Sequence, residues 1–389
     1  MEKNEVDLQL GLRGDAKLKS ISVGAENLAE ATKKLMIECY DLASRIETPK
    51  QRQDMTLGYD AHMTATVQFP ESEPLIFWPG IHDDGKGVME YILEVTHGIH
   101  NHWKKSPEHP TRWGYTYNER MVDQLPFVFQ RIKADWEEKK GQWGEEVGRP
   151  SGRDYQFAIW RAGEDIILEQ EDPPCWQMGN IRLLLDQDNE LVLNYQTFWR
   201  SRDLFKAWDE NNVAQVKLMN LFRLKIQDML EVPVKMGSYT DTSSSLHLYG
   251  MYVDRDGLDK KIKRIRNTPY QKISSSLEDF FVGTSNMDST QLKRLIAIQS
   301  DAEKNGHGLK QDVESATELG YDVKNHEYPG DWDSWPKEWD AEPNPDKLAR
   351  VVDDDYMVKR VSEMAGLPEY QHLDEIIHLG IRAKTRREK

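Results

Sequence analysis

The sequence predicts an α+β fold, on three observations. Apolar residues recur at helical spacing in four stretches, within residues 27–44, 88–100, 122–138 and 213–230. Between them lie stretches with the two-residue alternation of strands, at 60–80, 155–160, 176–198 and 232–253. From Asp254 onward the character changes to helical and highly charged, so residues 1–253 are expected to form one domain and 254–389 a largely helical extension that completes or covers its core.

Taken in order, residues 1–25 are mixed and weakly patterned and are expected to form an arm. Asn27 to Ser44 reads as an amphipathic helix with Leu28, Ala31, Leu35, Ile37 and Leu42 as apolar positions. Cys39 lies within it and is expected to be a small buried hydrophobe. A polar link covers 47–54. Residues 60–80 alternate through Val67 and Phe69 until Trp78-Pro79-Gly80 breaks the pattern. The helix from Val88 to His100 carries Glu90 and Glu94 four residues apart on one face. His97, His100 and His102 cannot all share a face and have no partner cysteine, so no metal site is expected there. A helix from about Val122 to Glu138 is followed by a charged loop, 139–152, and a strand, 155–160.

Cys175 comes next, after Pro173 and Pro174. It opens a hairpin: a strand from Trp176 to Leu185, a polar turn at 186–190, and a return strand from Leu191 to Phe198. Arg200 and Ser201 follow, then a turn and the amphipathic helix Val213–Leu230. A thiol at the start of a hairpin, with an arginine where its second strand ends, suits attack on an anionic substrate. The region 232–253 reads as a long strand punctuated by Gly237 and Ser243-Ser244-Ser245.

Composition narrows the function classes. With 389 residues, 38% hydrophobic and 30% charged, the chain has ample length for a core. A net charge of −16 argues against general nucleic-acid binding, although a local arginine cluster still suits a small anion. No run of eighteen apolar residues is present and the N-terminus lacks the apolar stretch of a signal peptide, so no membrane association is expected. Two cysteines, Cys39 and Cys175, make neither a disulfide framework nor a zinc finger, which fits a reducing cytoplasmic setting.

Several motifs, in order, resemble the thymidylate synthase family, including its deoxynucleotide hydroxymethylase branch. Pro173-Pro174-Cys175 resembles the nucleophile loop, and Arg200-Ser201-Arg202-Asp203 with Ala207-Trp208-Asp209-Glu210-Asn211 resembles the Arg-Ser-x-Asp segment and its following asparagine. Ser245-Leu246-His247-Leu248-Tyr249 resembles the His-x-Tyr strand. Tyr115-Thr116-Tyr117 through Arg120, then Asp123-Gln124, is similar to the divergent archaeal and phage members. The likeness covers roughly 115–249, more faintly from 27.

The resemblance implies a mixed sheet packed with helices and one-carbon transfer from 5,10-methylenetetrahydrofolate to C5 of dUMP. Cys175 would add to C6 of the pyrimidine, helped toward its thiolate by a nearby cation. Arg200 would serve that purpose and bind the phosphate with Ser201. Asn211 would read the base, since a primary amide donates to O4 and accepts from N3–H; its neighbour Asn212 offers the same chemistry one position on. As a reading of the residues alone, Asn211 is also a helix N-cap. His247 and Tyr249 would hold the sugar hydroxyl, and Asp203 would face the folate. The proton-shuttling glutamate would be Glu90, with Glu94 the alternative. No metal is implied. Family members are homodimers that lend phosphate-binding arginines across the interface, here Arg153. Asp154 replaces the second arginine of that segment, a loss Arg202 would offset. Arg52 would add a further phosphate contact from an early loop.

Departures from the family pattern bear on the product. Trp176 stands where many synthases have histidine, Trp199 where they have glutamine, and the chain ends in Arg386-Arg387-Glu388-Lys389 where synthases have a short apolar segment. The missing apolar C-terminus and the long polar extension favour 5-hydroxymethyl-dUMP as product, in the host cytoplasm of a phage with modified thymine. The alternatives are a thymidylate synthase making dTMP, a dCMP or CMP hydroxymethylase, and a non-catalytic nucleotide-binding relative.

Overall fold

Eight strands meet in one mixed sheet, in the order β1–β3–β9–β7–β6–β5 with β2 added on β3 and β8 on β9. The structure, a computed structural model, describes residues 17–46, 56–98, 101, 114–142, 152–166, 172–285 and 335–345. The strands are β1 (Lys19–Ala25), β2 (Ser44–Ile46), β3 (Gly58–Val67), β5 (Gln156–Ala158), β6 (Trp176–Leu185), β7 (Leu191–Trp199), β8 (Arg202–Asp203) and β9 (Val234–Leu248). Two short strands, β4 (Ile76–Phe77) and β10 (Ser274–Ser275), pair separately. The main helices are α1 (Leu28–Leu42), α2 (Gly85–His97), α3 (Tyr117–Val122), α4 (Leu125–Gln142), α5 (Ala162–Asp165) and α6 (Trp208–Leu230). Then come α7 (Gly250–Asp254), α8 (Leu258–Asn267) and α9 (Leu277–Ser285). β1 and β7 run parallel to their neighbours β3 and β9, while β3 with β9 and β5 through β7 are antiparallel. This is a mixed sheet packed with helices, as an α+β fold requires.

Alternation along the strands decides which face is core. On β7, Leu191, Leu193, Tyr195, Thr197 and Trp199 are buried, while Val192, Asn194, Gln196 and Phe198 alternate outward. Helices α1 and α6 cover the buried side. On the other side Thr64 and Thr242 meet across β3 and β9, hydroxyl to hydroxyl at 3.2 Å, and among the described residues both are half-buried. The β6–β7 hairpin keeps register from Trp176↔Trp199 to Leu185↔Leu191, with a shift just after Trp176. Its turn is closed by the Asp186 carboxylate, which accepts from the backbone N–H groups of Asp188 and Glu190, with Asn189 in the left-handed region.

Several sequence expectations change. Residues 19–25 form β1, not an arm: Ile21, Val23 and Ala25 alternate with Ser20, Ser22 and Gly24 along this edge strand. Phe69 lies past the end of β3 and is exposed. The helix expected from about Val122 to Glu138 is α4, which starts at Leu125 and runs on to Gln142; Val122 instead ends the separate short helix α3. The helix expected from Val213 starts five residues earlier, at Trp208, because its first turn is polar yet buried. Beyond 253, α8 buries Leu258, Ile262 and Ile265 and packs on α1, α9 packs on α2, and Trp339 meets Phe129 and Phe222 with ring centroids 5.6 and 5.3 Å apart. Among the described residues no helix is long and apolar enough to cross a membrane.

Candidate active site

Cys175 stands at the mouth of the β6–β7 hairpin, and Arg200 ties it down. The Arg200 backbone N–H donates to the Cys175 carbonyl at 2.8 Å. The side chain folds back so that Nε donates to the Pro174 carbonyl at 3.1 Å and Nη2 to the Pro173 carbonyl at 2.5 Å. Under the thiol loop lies an aromatic floor. Trp176 and Trp199 stack with centroids 5.9 Å apart, and Tyr117 meets both edge-on at 5.6 and 5.9 Å. Both indoles are buried.

Four tyrosines from separate parts of the chain feel the charge of a Cys175 thiolate. Burial is the main cause that holds Tyr91, Tyr115, Tyr117 and Tyr249 above the ordinary phenol range, and Cys175 adds to it in all four. Tyr91 is on α2, where the charge of Glu94 acts on it most strongly after burial. Glu94, the second of the two candidate glutamates, is thereby placed near the Cys175 cluster.

The first turn of α6 sets the other side. Four consecutive polar residues there each have a different anchor. Asp209 accepts from the Thr32 hydroxyl at 2.5 Å and the Phe77 N–H at 2.9 Å, which fixes the helix start to α1 and β4; burial pushes its carboxyl up to about 7. Glu210 accepts from the N–H groups of His82 and Asp83 at 2.6 and 2.9 Å, holding the loop that leads to α2. Asn211 donates from Nδ2 to the Tyr91 hydroxyl at 2.8 Å. Asn212 turns inward, donating to the Trp208 carbonyl at 2.6 Å and accepting from the buried Tyr239 phenol. Asn211 is therefore the amide on the Cys175 side. It is not the N-cap, a position held by Ala207 without a side-chain bond.

His247 completes the cluster from β9. It pairs in register with Asp60 on β3 and with Asp203 on β8, so two carboxylates flank it across three strands. Ser245 links the first pair: its hydroxyl donates to Asp60 Oδ2 at 3.0 Å and lies 3.3 Å from His247 Nδ1. Burial pushes the Asp60 carboxyl up to about 6. Tyr249, just past the end of β9, meets the His247 ring edge-on at 4.6 Å. Asp203 accepts from the N–H groups of Phe205 and Lys206 at 2.8 and 3.2 Å and from the Tyr252 phenol.

Other expectations land elsewhere. Arg202 is buried on Asp241, bonds Ser243 at 3.0 Å and lies 4.2 Å over the Trp199 ring, with Nε and Nη1 unpaired among the described residues. Arg153 is exposed on the lead-in to edge strand β5 and makes no hydrogen bond to the cluster. Ser201 is half-buried beside Arg200. Arg52 lies outside the described residues, as do His100 and His102; His97 is buried, with Nδ1 2.7 Å from the Thr96 hydroxyl. Asp186, Asp188 and Glu190 crowd the hairpin turn, but the Lys235 ammonium already pairs with two of them.

No family model matches the chain, and no curated protein matches it significantly. The arrangement itself is what bears on function. Cys175, Arg200, Asn211, His247 and Tyr249 come from β6, the end of β7, α6 and β9. Sequence reasoning missed Tyr91 and Asp60: a tyrosine on an amphipathic helix and a lone aspartate in a strand carry no signal until their partners are known. Beside the cluster, Phe205 and Lys206 open a cleft of about 500 Å³ whose rim also carries Lys261, Arg264, His82 and Trp78. Lys261 Nζ sits 4.7 Å over the Phe205 ring.

Proposed function

We propose that this protein transfers a one-carbon unit from 5,10-methylenetetrahydrofolate to C5 of dUMP through a Cys175–C6 adduct, releasing 5-hydroxymethyl-dUMP. The observation that carries this reading is the convergence of a half-buried thiol, an amide and a His-Tyr pair on one cluster of tyrosines. Nucleophile, base reader and sugar contacts are the groups such an addition needs.

Arg200 keeps Nη1 outside its two carbonyl bonds, and that nitrogen would meet the nucleotide phosphate with Ser201. Asn211 would accept from N3–H through Oδ1 while its amide nitrogen faces O4. Glu94 would orient water for attack on the exocyclic methylene, the step that separates hydroxymethylation from methylation. Asp203 and the cleft beyond it would take the folate, whose glutamyl carboxylates match Lys206, Lys261 and Arg264 and whose rings match Phe205 and Trp78. The sheet face bearing Thr64 and Thr242 would join a second copy, bringing Arg153 to the partner's phosphate. The synthase outcome is favoured by one feature, the dry floor of Trp176 and Trp199, which limits water near the intermediate.

The test is to mix protein, dUMP and methylenetetrahydrofolate, follow dihydrofolate by absorbance and weigh the nucleotide. A product heavier by a hydroxymethyl group without dihydrofolate is expected. Dihydrofolate rising with a methylated product would mark a synthase, and turnover of dCMP in place of dUMP would overturn the base assignment.

A further inference from the structure

Resting on that pyrimidine reading, we propose that Tyr91 is a catalytic residue: its hydroxyl and the second amide N–H of Asn211 form a two-donor hole for O4 of the uracil ring. The hydrogen-bond directions lead there. Asn211 Nδ2 is the donor in its 2.8 Å contact with Tyr91, so the phenol oxygen accepts and its own proton points elsewhere. No protein acceptor for that proton occurs among the described residues. A primary amide nitrogen carries two hydrogens, so a second donor remains on Nδ2, beside the first. Two donors whose heavy atoms are 2.8 Å apart can converge on one oxygen.

Local charge and packing suit the task. Burial, more than any neighbouring charge, keeps the Tyr91 phenol protonated, and hence a donor, across the working pH range. The Arg202 guanidinium acts on Tyr91 in the opposite sense, favouring negative charge at this place. Tyr91 and Asn211 sit on α2 and α6, which pack together, and Glu210 fixes the loop between β4 and α2 to the same turn that bears Asn211. The pair is thus built into the fold before substrate arrives.

The step balances without a proton transfer. The Cys175 Sγ–C6 bond forms as the C5=C6 π pair moves through C4 onto O4, which becomes an enolate oxygen. Tyr91 and Asn211 donate to it and keep their protons. The pair returns when C5 bonds the one-carbon unit. The same two donors oppose the C4 amino group of cytosine, itself a donor, so Tyr91 also selects a keto pyrimidine.

The experiment uses Tyr91→Phe, which keeps the ring, with three readouts: equilibrium binding of dUMP, the saturated rate of covalent adduct formation with 5-fluoro-dUMP, and release of tritium from 5-tritiated dUMP. Binding within about threefold of wild type, with both rates lower by about 10²–10³, is expected. Rates within threefold of wild type would overturn the inference, and so would a pure loss of affinity with an unchanged saturated rate, which marks a positioning role. Wild-type protein that forms no adduct would overturn the pyrimidine reading and the inference together; a wild-type adduct with an indifferent Tyr91→Phe overturns this inference alone.

Discussion

Asn211 and Asn212 are chain neighbours in two different regions. Asn212 spends its amide inside the core, on the Trp208 carbonyl and the Tyr239 phenol. Asn211 spends one N–H on Tyr91 and leaves its oxygen and a second N–H uncommitted among the described residues. The same division separates the two cysteines. Cys39 is fully buried, its thiol pushed up by burial and by the charge of Asp60, and it donates weakly to the Leu246 carbonyl at 3.8 Å. Cys175 is half-buried at a hairpin mouth among four tyrosines. Arg202 and Arg200 divide likewise, one closed on Asp241 and the other holding only two loop carbonyls. Where a polar group is closed on a partner inside the core it supports the fold; where capacity is left over on the Cys175 side, a ligand is the natural complement.

Substitution in pairs sharpens this contrast. The largest effect belongs to the thiols: Cys175→Ala should lower turnover about 10⁴-fold or more with stability little changed. Cys39→Ala should leave turnover intact and cost about 1–2 kcal/mol of stability, read from urea unfolding. Equal effects on turnover would erase the division. Next come the arginines. Arg202→Ala strands Asp241 and should cost about 3–5 kcal/mol. Arg200→Ala should leave stability within about 1 kcal/mol and weaken nucleotide binding about tenfold or more, from loss of charged hydrogen bonds.

The flanking carboxylate gives a pH test. Asp60 is held up to about 6 from an ordinary 3.8, so the folded protein keeps a proton that the unfolded chain releases between about pH 4 and 6. Stability from this group therefore falls as pH rises through that window, by about 3 kcal/mol in all. Asp60→Asn lacks the titration. Its stability relative to wild type should rise by up to that amount between pH 4.5 and 7, measured as urea midpoints; parallel curves at both pH values would contradict the burial assignment. The smallest expected difference separates the amides: Asn212→Ala should cost about 1–3 kcal/mol by removing two buried bonds, to the Trp208 carbonyl and from the Tyr239 phenol, and Asn211→Ala less than about 1.

The sequence made the hairpin and most of the helices legible because apolar periodicity is local: the strands around 186–190 and the helix after Asn27 lie within a residue or two of expectation. Polar segments carried no such mark. The first turn of α6 reads as a loop because Asp209, Glu210 and Asn212 are buried through partners distant in sequence. The motif residues around Cys175 could be named from their order along the chain. What order could not supply was the closure of Arg202 on Asp241 or the arrival of Tyr91 at Asn211, which depend on which strands and helices pack together.

The most direct measurement of the central claim is the intact mass of the protein after incubation with 5-fluoro-dUMP and methylenetetrahydrofolate. The account predicts a covalent ternary adduct on wild-type protein and on Cys39→Ala, and none on Cys175→Ala. An adduct that survives Cys175→Ala, or wild-type protein that remains unmodified, would contradict it.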